Sequence, residues 1–299
     1  MQNCFLAERT VRDIDRRVLK ILKDLGDPVP PLRLEVVREL LRLDLAYYSS
    51  SNQGILAETI HRLKVAGKQV IDRPALLVDA VRKLELKALW IPDRQRILID
   101  EELPPTKRRW GEAHEIGHSI LPWHEAAMHG DKKQTLSLSC EHQVEAEANF
   151  AAGRILFLGD RFADQLRGSP PTMGRIRDLN KLFGNSITST LWRAVELAES
   201  PAFGLVGPHP GGPLGEEPIR YFIRSRAFLG RFDGVTPLGV YRGLRTFCRG
   251  SRGPLGQDEI IFHDSNGDPH VFLVDCFFNQ YEALTLGVHQ HARAPAVAF

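Results

Sequence analysis

The stretch "RRWGEAHEIGHSILPWHE", Arg108 to Glu125, sets His114, Glu115 and His118 in the order H-E-x-x-H. On an α-helix, residues four apart lie one turn apart on one face, so two imidazoles can reach a single metal ion with Glu115 beside them. The neighbours favour such a helix. Trp110, Ala113, Ile116, Gly117, Ile120 and Leu121 form an apolar stripe for burial, and Pro122 marks its end. Two nitrogen donors do not complete a catalytic zinc site, which normally takes three protein ligands and leaves a fourth position for water.

A third donor is sought downstream, in "EHQVEAEANFAAGRILFL", Glu141 to Leu158. Glu141, Glu145 and Glu147 are the candidates. Glu145, Ala148, Asn149 and Ala152 fall at i, i+3, i+4 and i+7, one helix face whose small residues allow a second helix to come close. Glu147 points elsewhere. A metal-bound histidine usually gives its other N–H to a fixed acceptor, and Asn149, one turn after Glu145, can offer its side-chain carbonyl for that purpose. That second-shell partner favours Glu145. His124 and His142 read as ordinary surface histidines.

Upstream, Val11, Ile14, Val18, Ile21, Leu22 and Leu25 recur at helical spacing, with Arg12, Arg16, Arg17, Lys20 and Lys23 on the other face. The basic side is interrupted by Asp13, Asp15 and Asp24 and reads as solvated rather than nucleic-acid-binding. After the "DPVPP" break a second helical pattern spans Leu32 to Leu45, and a third runs around Ile55 to Val70. "ALWIPDRQRILID", Ala88 to Asp100, has the layout of a hairpin. Leu179 to Ala198 reads as helix, turn at Gly184-Asn185 and helix capped by Ser186 or Thr188, a helix-turn-helix pattern. A DNA-reading helix wants basic or amide groups at its exposed start. This one offers Ser186, Thr188 and Ser189, with Arg193 further on, so packing against the catalytic core is the expected role and direct nucleic-acid binding a secondary one.

The Gly- and Pro-dense residues 201–218 read as a linker, followed by β-like runs at Ile219 to Arg224, Leu238 to Leu244, Glu259 to Asp264, His270 to Phe278 and Ala283 to Val288. Asn266-Gly267 signals a hairpin turn between two of them. The expected organisation is therefore an N-terminal helical region (1–87), a catalytic core with the helix-turn-helix-like segment (88–200), a linker (201–218) and a β-containing C-terminal domain (219–299). The chain has 43% hydrophobic and 25% charged residues and a net charge of +2, a globular mix that selects no partner class. Cys4, Cys140, Cys248 and Cys276 form no C-x-x-C pair and read as reduced core thiols. No signal-peptide core or membrane span is legible, so a cytoplasmic protein without membrane attachment is expected.

"RRWGEAHEIGHSIL" and "EAEANFAAGRIL" together resemble the ImmA/IrrE-type metallopeptidases, whose hallmark is H-E-x-x-H on one helix and E-x-E-A-(N/D)-x-F-A on a second. The likeness takes in the preceding "RILIDEEL" and "KRRW", covering roughly Ala88 to Leu158 closely and Leu179 to Glu196 loosely. It departs at "RILFLGDRF", where the family carries an apolar-Met-Pro phrase, and at Asn52 to Leu86, which reads as an insertion or a divergent N-terminal part.

The resemblance implies an α+β fold: a mainly helical, zincin-like domain with a small sheet, joined to the β-rich C-terminal part. It also implies one zinc ion on His114, His118 and Glu145, with Glu115 as the general base of peptide hydrolysis. The implied substrate is a helix-turn-helix transcriptional repressor, cut to release stress-response or mobile-element genes. The competing reading is a non-catalytic regulator that binds DNA or protein on the same scaffold. An intact Glu115 counts against it, because a scaffold has no use for a base beside a metal.

Overall fold

The apolar spacing of the first helix is realised directly: in α1 (Glu8–Asp24), Ile14, Val18, Ile21 and Leu22 are buried, while Arg12, Arg16, Lys20 and Lys23 face solvent. The computed structural model describes residues 3, 5–48, 88–91, 95–124, 138–168, 170–212 and 219–292. The third helical pattern at Ile55 to Val70 and the insertion-like stretch lie outside the described residues, as do the side chains of Cys4 and Cys140. The chain divides into two compact units, Leu6–Gly159 and a second made of Met1–Phe5 with Asp160–Phe299.

In the first unit, helix α2 (Leu34–Leu41) is shorter than its periodicity suggested. Arg42 takes the left-handed conformation, which breaks the hydrogen-bond ladder, and the chain continues as strand β1 (Asp44–Tyr48). The region read as helical therefore also supplies a strand. β2 (Ala88–Ile91) and β3 (Arg96–Asp100) form the expected antiparallel pair, and β1 runs parallel to β3 on its other side. The order is β1-β3-β2. Ile97, Leu98 and Ile99 of the central strand are all buried, as a strand covered on both faces requires.

Helix α3 (Pro105–Ser119) begins with proline in its first turn, where the missing N–H costs nothing. It packs on the sheet and against α4 (Leu138–Leu156). Ala113 and Ile116 of α3 and Ala148, Ala151, Ala152 and Ile155 of α4 are fully buried. The two backbones meet at Gly117: a Cβ there would lie 2.7 Å from the carbonyl oxygen of Ala148 and 3.3 Å from the Ala151 Cβ. Arg38 of α2 pins the middle of α3 by donating to Glu112 at 2.6 Å.

The second unit holds α5 (Arg161–Leu166), α6 (Met173–Phe183) and α7 (Ile187–Glu196). Its five-stranded antiparallel sheet comprises β4 (Ala202–Gly207), β5 (Tyr221–Arg224), β6 (Gly253–His263), β7 (Pro269–Phe278) and β8 (Ala283–Ala292), in the order β5-β4-β8-β7-β6. Two short helices, α8 (Arg226–Leu229) and α9 (Pro237–Phe247), complete it. The fold is thus mixed α+β, and no helix among the described residues is long and apolar enough to cross a membrane.

Three expectations are corrected here. The supposed linker contains β4, an interior strand whose six residues are all buried. Its Gly204 serves close packing rather than a turn, since a Cβ there would lie 3.2 Å from Ile223 and 3.4 Å from Leu191 and Val195. The run Leu238 to Leu244 is helical, because Thr236 caps it by accepting from Gly239 N–H, Pro237 starts it, and Val240, Tyr241 and Leu244 supply a buried face at helical spacing. The helix-turn-helix-like pair α6 and α7, with Gly184 left-handed between them and Ser186 as cap, belongs to the second unit. There α7 packs on β4, β5 and β8, so its apolar face serves the sheet.

Phenylalanines dominate the core of the second unit: Phe203, Phe222, Phe228, Phe232 and Phe272 are buried together. Cys248 and Cys276 are free thiols within it. Gly287 pairs across the sheet with Phe203, whose ring occupies the space a Cβ would take.

The contact at Gly117 gives a first prediction. Alanine raises helix propensity by about 1 kcal/mol, but a backbone oxygen at 2.7 Å cannot swing aside, and overpacking costs about 1–3 kcal/mol. Gly117→Ala is expected to lower the urea midpoint of the metal-free protein. An unchanged or higher midpoint would remove this close approach from the account.

Candidate metal centre

The helical geometry that brings α3 and α4 together also sets where their polar side chains end. His114 and His118 project from one face of α3, with Nε2 atoms 3.1 Å apart. Glu145 on α4 reaches both, its carboxylate oxygens 3.1 Å from His114 Nε2 and 3.5 Å from His118 Nε2. One donor atom from each residue fits within a span of 4.8 Å, and no other His, Cys, Asp and Glu group of this kind occurs among the described residues. A tetrahedral zinc ion with donors at about 2.0–2.1 Å holds them about 3.3 Å apart. The observed separations match that spacing, so this donor set fits zinc. The side chain of Glu141 lies outside the described residues.

Asn149, one turn beyond Glu145, accepts from His114 Nδ1–H at 3.1 Å, so the other ring nitrogen is left to face Glu145. Glu115 lies on the same helix but buried, and the backbone N–H of Trp90 on β2 donates to it. All five residues singled out in the sequence are therefore placed at one junction of α3, α4 and the small sheet.

Their electrostatics diverge. Burial pushes Glu115 up to about 7, with the nearby Glu145 adding to the effect against His114 and the Trp90 N–H. Glu145 goes the other way: burial works against its charge, but contacts with both histidines hold it far below the ordinary carboxylate range. Burial on its own lowers His114, yet Glu145, Glu115 and Asn149 lift it above the usual imidazole value. Burial prevails at His118, which is lowered. The two carboxylates thus have widely separated proton affinities.

Sequence reading missed two residues. His124, expected at the surface, is fully buried, whereas His142 is exposed as expected. Glu147 does point away from Glu145, but into the protein: it accepts from His124 Nε2 at 3.0 Å, and His124 Nδ1 lies 3.0 Å from His118 Nδ1. The signal was available, because residues i and i+2 of a helix point about 160–200° apart, so a carboxylate at Glu147 must serve something other than Glu145's partners.

The raised proton affinity of Glu115 has a stability consequence. Its folded value, about 7, exceeds the ordinary 4.5, so the folded state binds the proton more tightly than the unfolded one. Stability from this group is full below pH 4.5 and is lost as pH rises towards 7, by an amount on the order of 3 kcal/mol. Glu115→Gln removes that loss. In chelator-treated protein the variant should be more stable than wild type at pH 8 and nearly equal to it at pH 4.5. Equal stability differences at both values would contradict the burial argument.

Residues 76–194 match the model of the peptidase M78 family, described as an IrrE N-terminal-like domain. No curated protein matches the chain. Among solved structures, a Mycobacterium tuberculosis transcriptional regulator is similar at 14% identity and a TM-score of 0.48, over 93% of this chain and 88% of that one. The family match covers the H-E-x-x-H helix, the glutamate-bearing helix and the helical pair that follows. That match, over 119 of the 299 residues, agrees with the ImmA/IrrE resemblance.

Proposed function

We propose that this protein is a zinc-dependent endopeptidase that makes limited cuts in another cytoplasmic protein, and that its substrate is a helix-turn-helix transcriptional repressor. The observation that carries the catalytic part is the convergence of His114 Nε2, His118 Nε2 and the Glu145 carboxylate beside a buried Glu115. On this reading, the H-E-x-x-H helix against a small sheet is a zincin-like core, and the five-stranded unit is the β-rich C-terminal domain. The choice of a repressor rests on the ImmA/IrrE likeness.

His114, His118 and Glu145 would hold the ion, with Asn149 keeping the His114 ring in register. Zinc so held supplies Lewis-acid activation of water and of the scissile carbonyl. Glu115 takes the proton from the attacking water; a proton affinity raised by burial suits a base that must later give that proton up. It then delivers it to the leaving amine nitrogen, so the same carboxylate serves as base and acid. The Trp90 N–H holds Glu115 in place through this exchange.

Two experiments test the reading. Purified wild type is expected to carry about one zinc per chain, and His114→Ala or Glu145→Ala to lose it; absence of metal in wild type supplied with zinc would favour the non-catalytic regulator. Glu115→Gln should keep the metal and lose cleavage. Comparing new protein N-termini in cells expressing wild type or Glu115→Gln should reveal a cut within a helix-turn-helix protein only with wild type. Identical N-terminal profiles would sink the enzymatic reading.

A further inference from the structure

A strand at the edge of a sheet carries a row of backbone N–H and C=O groups that the sheet leaves unpaired, and native chains usually close such a row. The five-stranded sheet of the second unit treats its two edges differently. At β5, only four residues long, the Asn3 side chain accepts from the Arg224 N–H at 2.9 Å and donates to the Arg224 carbonyl at 3.0 Å. At β6, eleven residues long, closure is found at the start: the Arg249 N–H meets the Leu255 carbonyl at 2.7 Å, beside the bulge between Pro254 and Gly256. Gly253 to His263 includes no lysine or arginine to guard the rest.

Three observations fix which way the remaining groups point. The Asp264 N–H bonds the Asp268 carbonyl across the hairpin; Pro269, which has no N–H, stands opposite His263; and the Glu259 N–H turns to its own neighbour, Asp258 Oδ1, at 2.8 Å. Bonding direction alternates along an antiparallel strand, so Glu259, Ile261 and His263 turn their N–H and C=O groups away from β7. No strand lies beyond them, and no hydrogen-bond partner for these groups of Ile261 or His263 occurs among the described residues. All three residues are exposed, while Ile260 and Phe262, on the other face, are half-buried against the phenylalanine core.

The geometry points to this open edge as the docking surface for a second copy of the chain, β6 pairing antiparallel with β6 about a two-fold axis at Ile261. A two-fold axis between like strand edges produces antiparallel pairing, with the same patch on both copies. In that register Ile261 meets itself, and Glu259 stands opposite His263 of the second copy, twice, a carboxylate against an imidazole N–H. On the core face Ile260 stands opposite Phe262, also twice, which extends the apolar cover. Asp258 comes opposite Asp264 at the ends, where Asp264 is already held by the Asn266 and Asp268 N–H groups of its own turn. Leu255, closed by Arg249, falls beyond the paired strand. Neighbouring registers lack this match. An axis at Ile260 sets Glu259 against Ile261 and Asp258 against Phe262, an axis at Glu259 opposes two like charges, and an axis at Phe262 sets Ile260 against Asp264.

The test uses the full chain. Sedimentation equilibrium between about 1 and 100 μM should show a reversible shift towards twice the monomer mass, the weak association expected of a small interface. Hydrogen exchange of residues 257–263 should slow as protein concentration rises, because outward N–H groups gain partners. Ile261→Lys, at an exposed position, should keep its circular dichroism, stay monomeric and lose the concentration dependence of exchange. Glu259→Lys and His263→Glu each oppose like groups and should weaken dimerisation roughly 2- to 30-fold, the effect of two cross-strand pairs; the double substitution restores opposite charges and should recover it. A chain that is monomeric throughout overturns the proposal and leaves the edge to an extended segment of another protein. A dimer that Ile261→Lys leaves intact overturns it as well. Should Ile261→Lys misfold, the charge series decides: single substitutions without effect, or a double substitution no better than either, refute this pairing.

Discussion

The first unit depends on one steric fact: the backbones of α3 and α4 touch at Gly117 and Ala148. Any side chain at Gly117 would hold the helices apart. Because donors on facing helices must meet within a few ångströms, that separation would pull Glu145 from His114 and His118 before it exposed much apolar surface. Ala148, Ala151 and Ala152 make the same allowance from the other helix. Small residues here trade dispersion contacts, which larger side chains would have supplied, for the approach of polar groups above them.

That approach gathers ionisable groups, with Glu115, His118 and Glu147 buried and Glu145 exposed. An isolated buried carboxylate is costly, and the arrangement offsets the cost in two ways. Glu145 and Glu147 keep their charge by accepting from histidines and neighbouring donors, while Glu115 yields to burial and holds its proton more tightly. The separation gives three glutamates within two helices two opposite electrostatic characters. It is produced by orientation along α3 and α4, with the strand β2 contributing a single backbone donor.

The second unit is held by different physics. Its antiparallel sheet carries a phenylalanine core in which Gly204 and Gly287 accept the close approach of Ile223, Leu191 and Val195 on one side and of Phe203 on the other. Glycine in these strands marks contact rather than a break, which is why a stretch rich in glycine and proline hid an interior strand. Helix α7 rests its apolar face on the same sheet, and Ser186 caps its start.

The sequence by itself determined the elements whose signal is local. H-E-x-x-H spacing, the i to i+4 relation of Glu145 and Asn149, and the continuous apolar run Ile97 to Ile99 are written in consecutive residues, and they translate directly into a helix face and a strand buried on both sides. It also carried the likeness to the ImmA/IrrE-type proteins, because both motifs fall on a short span. Only the tertiary structure decided what lies between distant segments. The parallel pairing of β1 with β3, the helical state of Leu238 to Leu244, the unit boundary at Gly159 and the burial of His124 all turn on partners far along the chain. A histidine's exposure, above all, is fixed by what packs over it: His124 and His142 look alike in sequence, and only the fold places one behind His118 and the other in solvent.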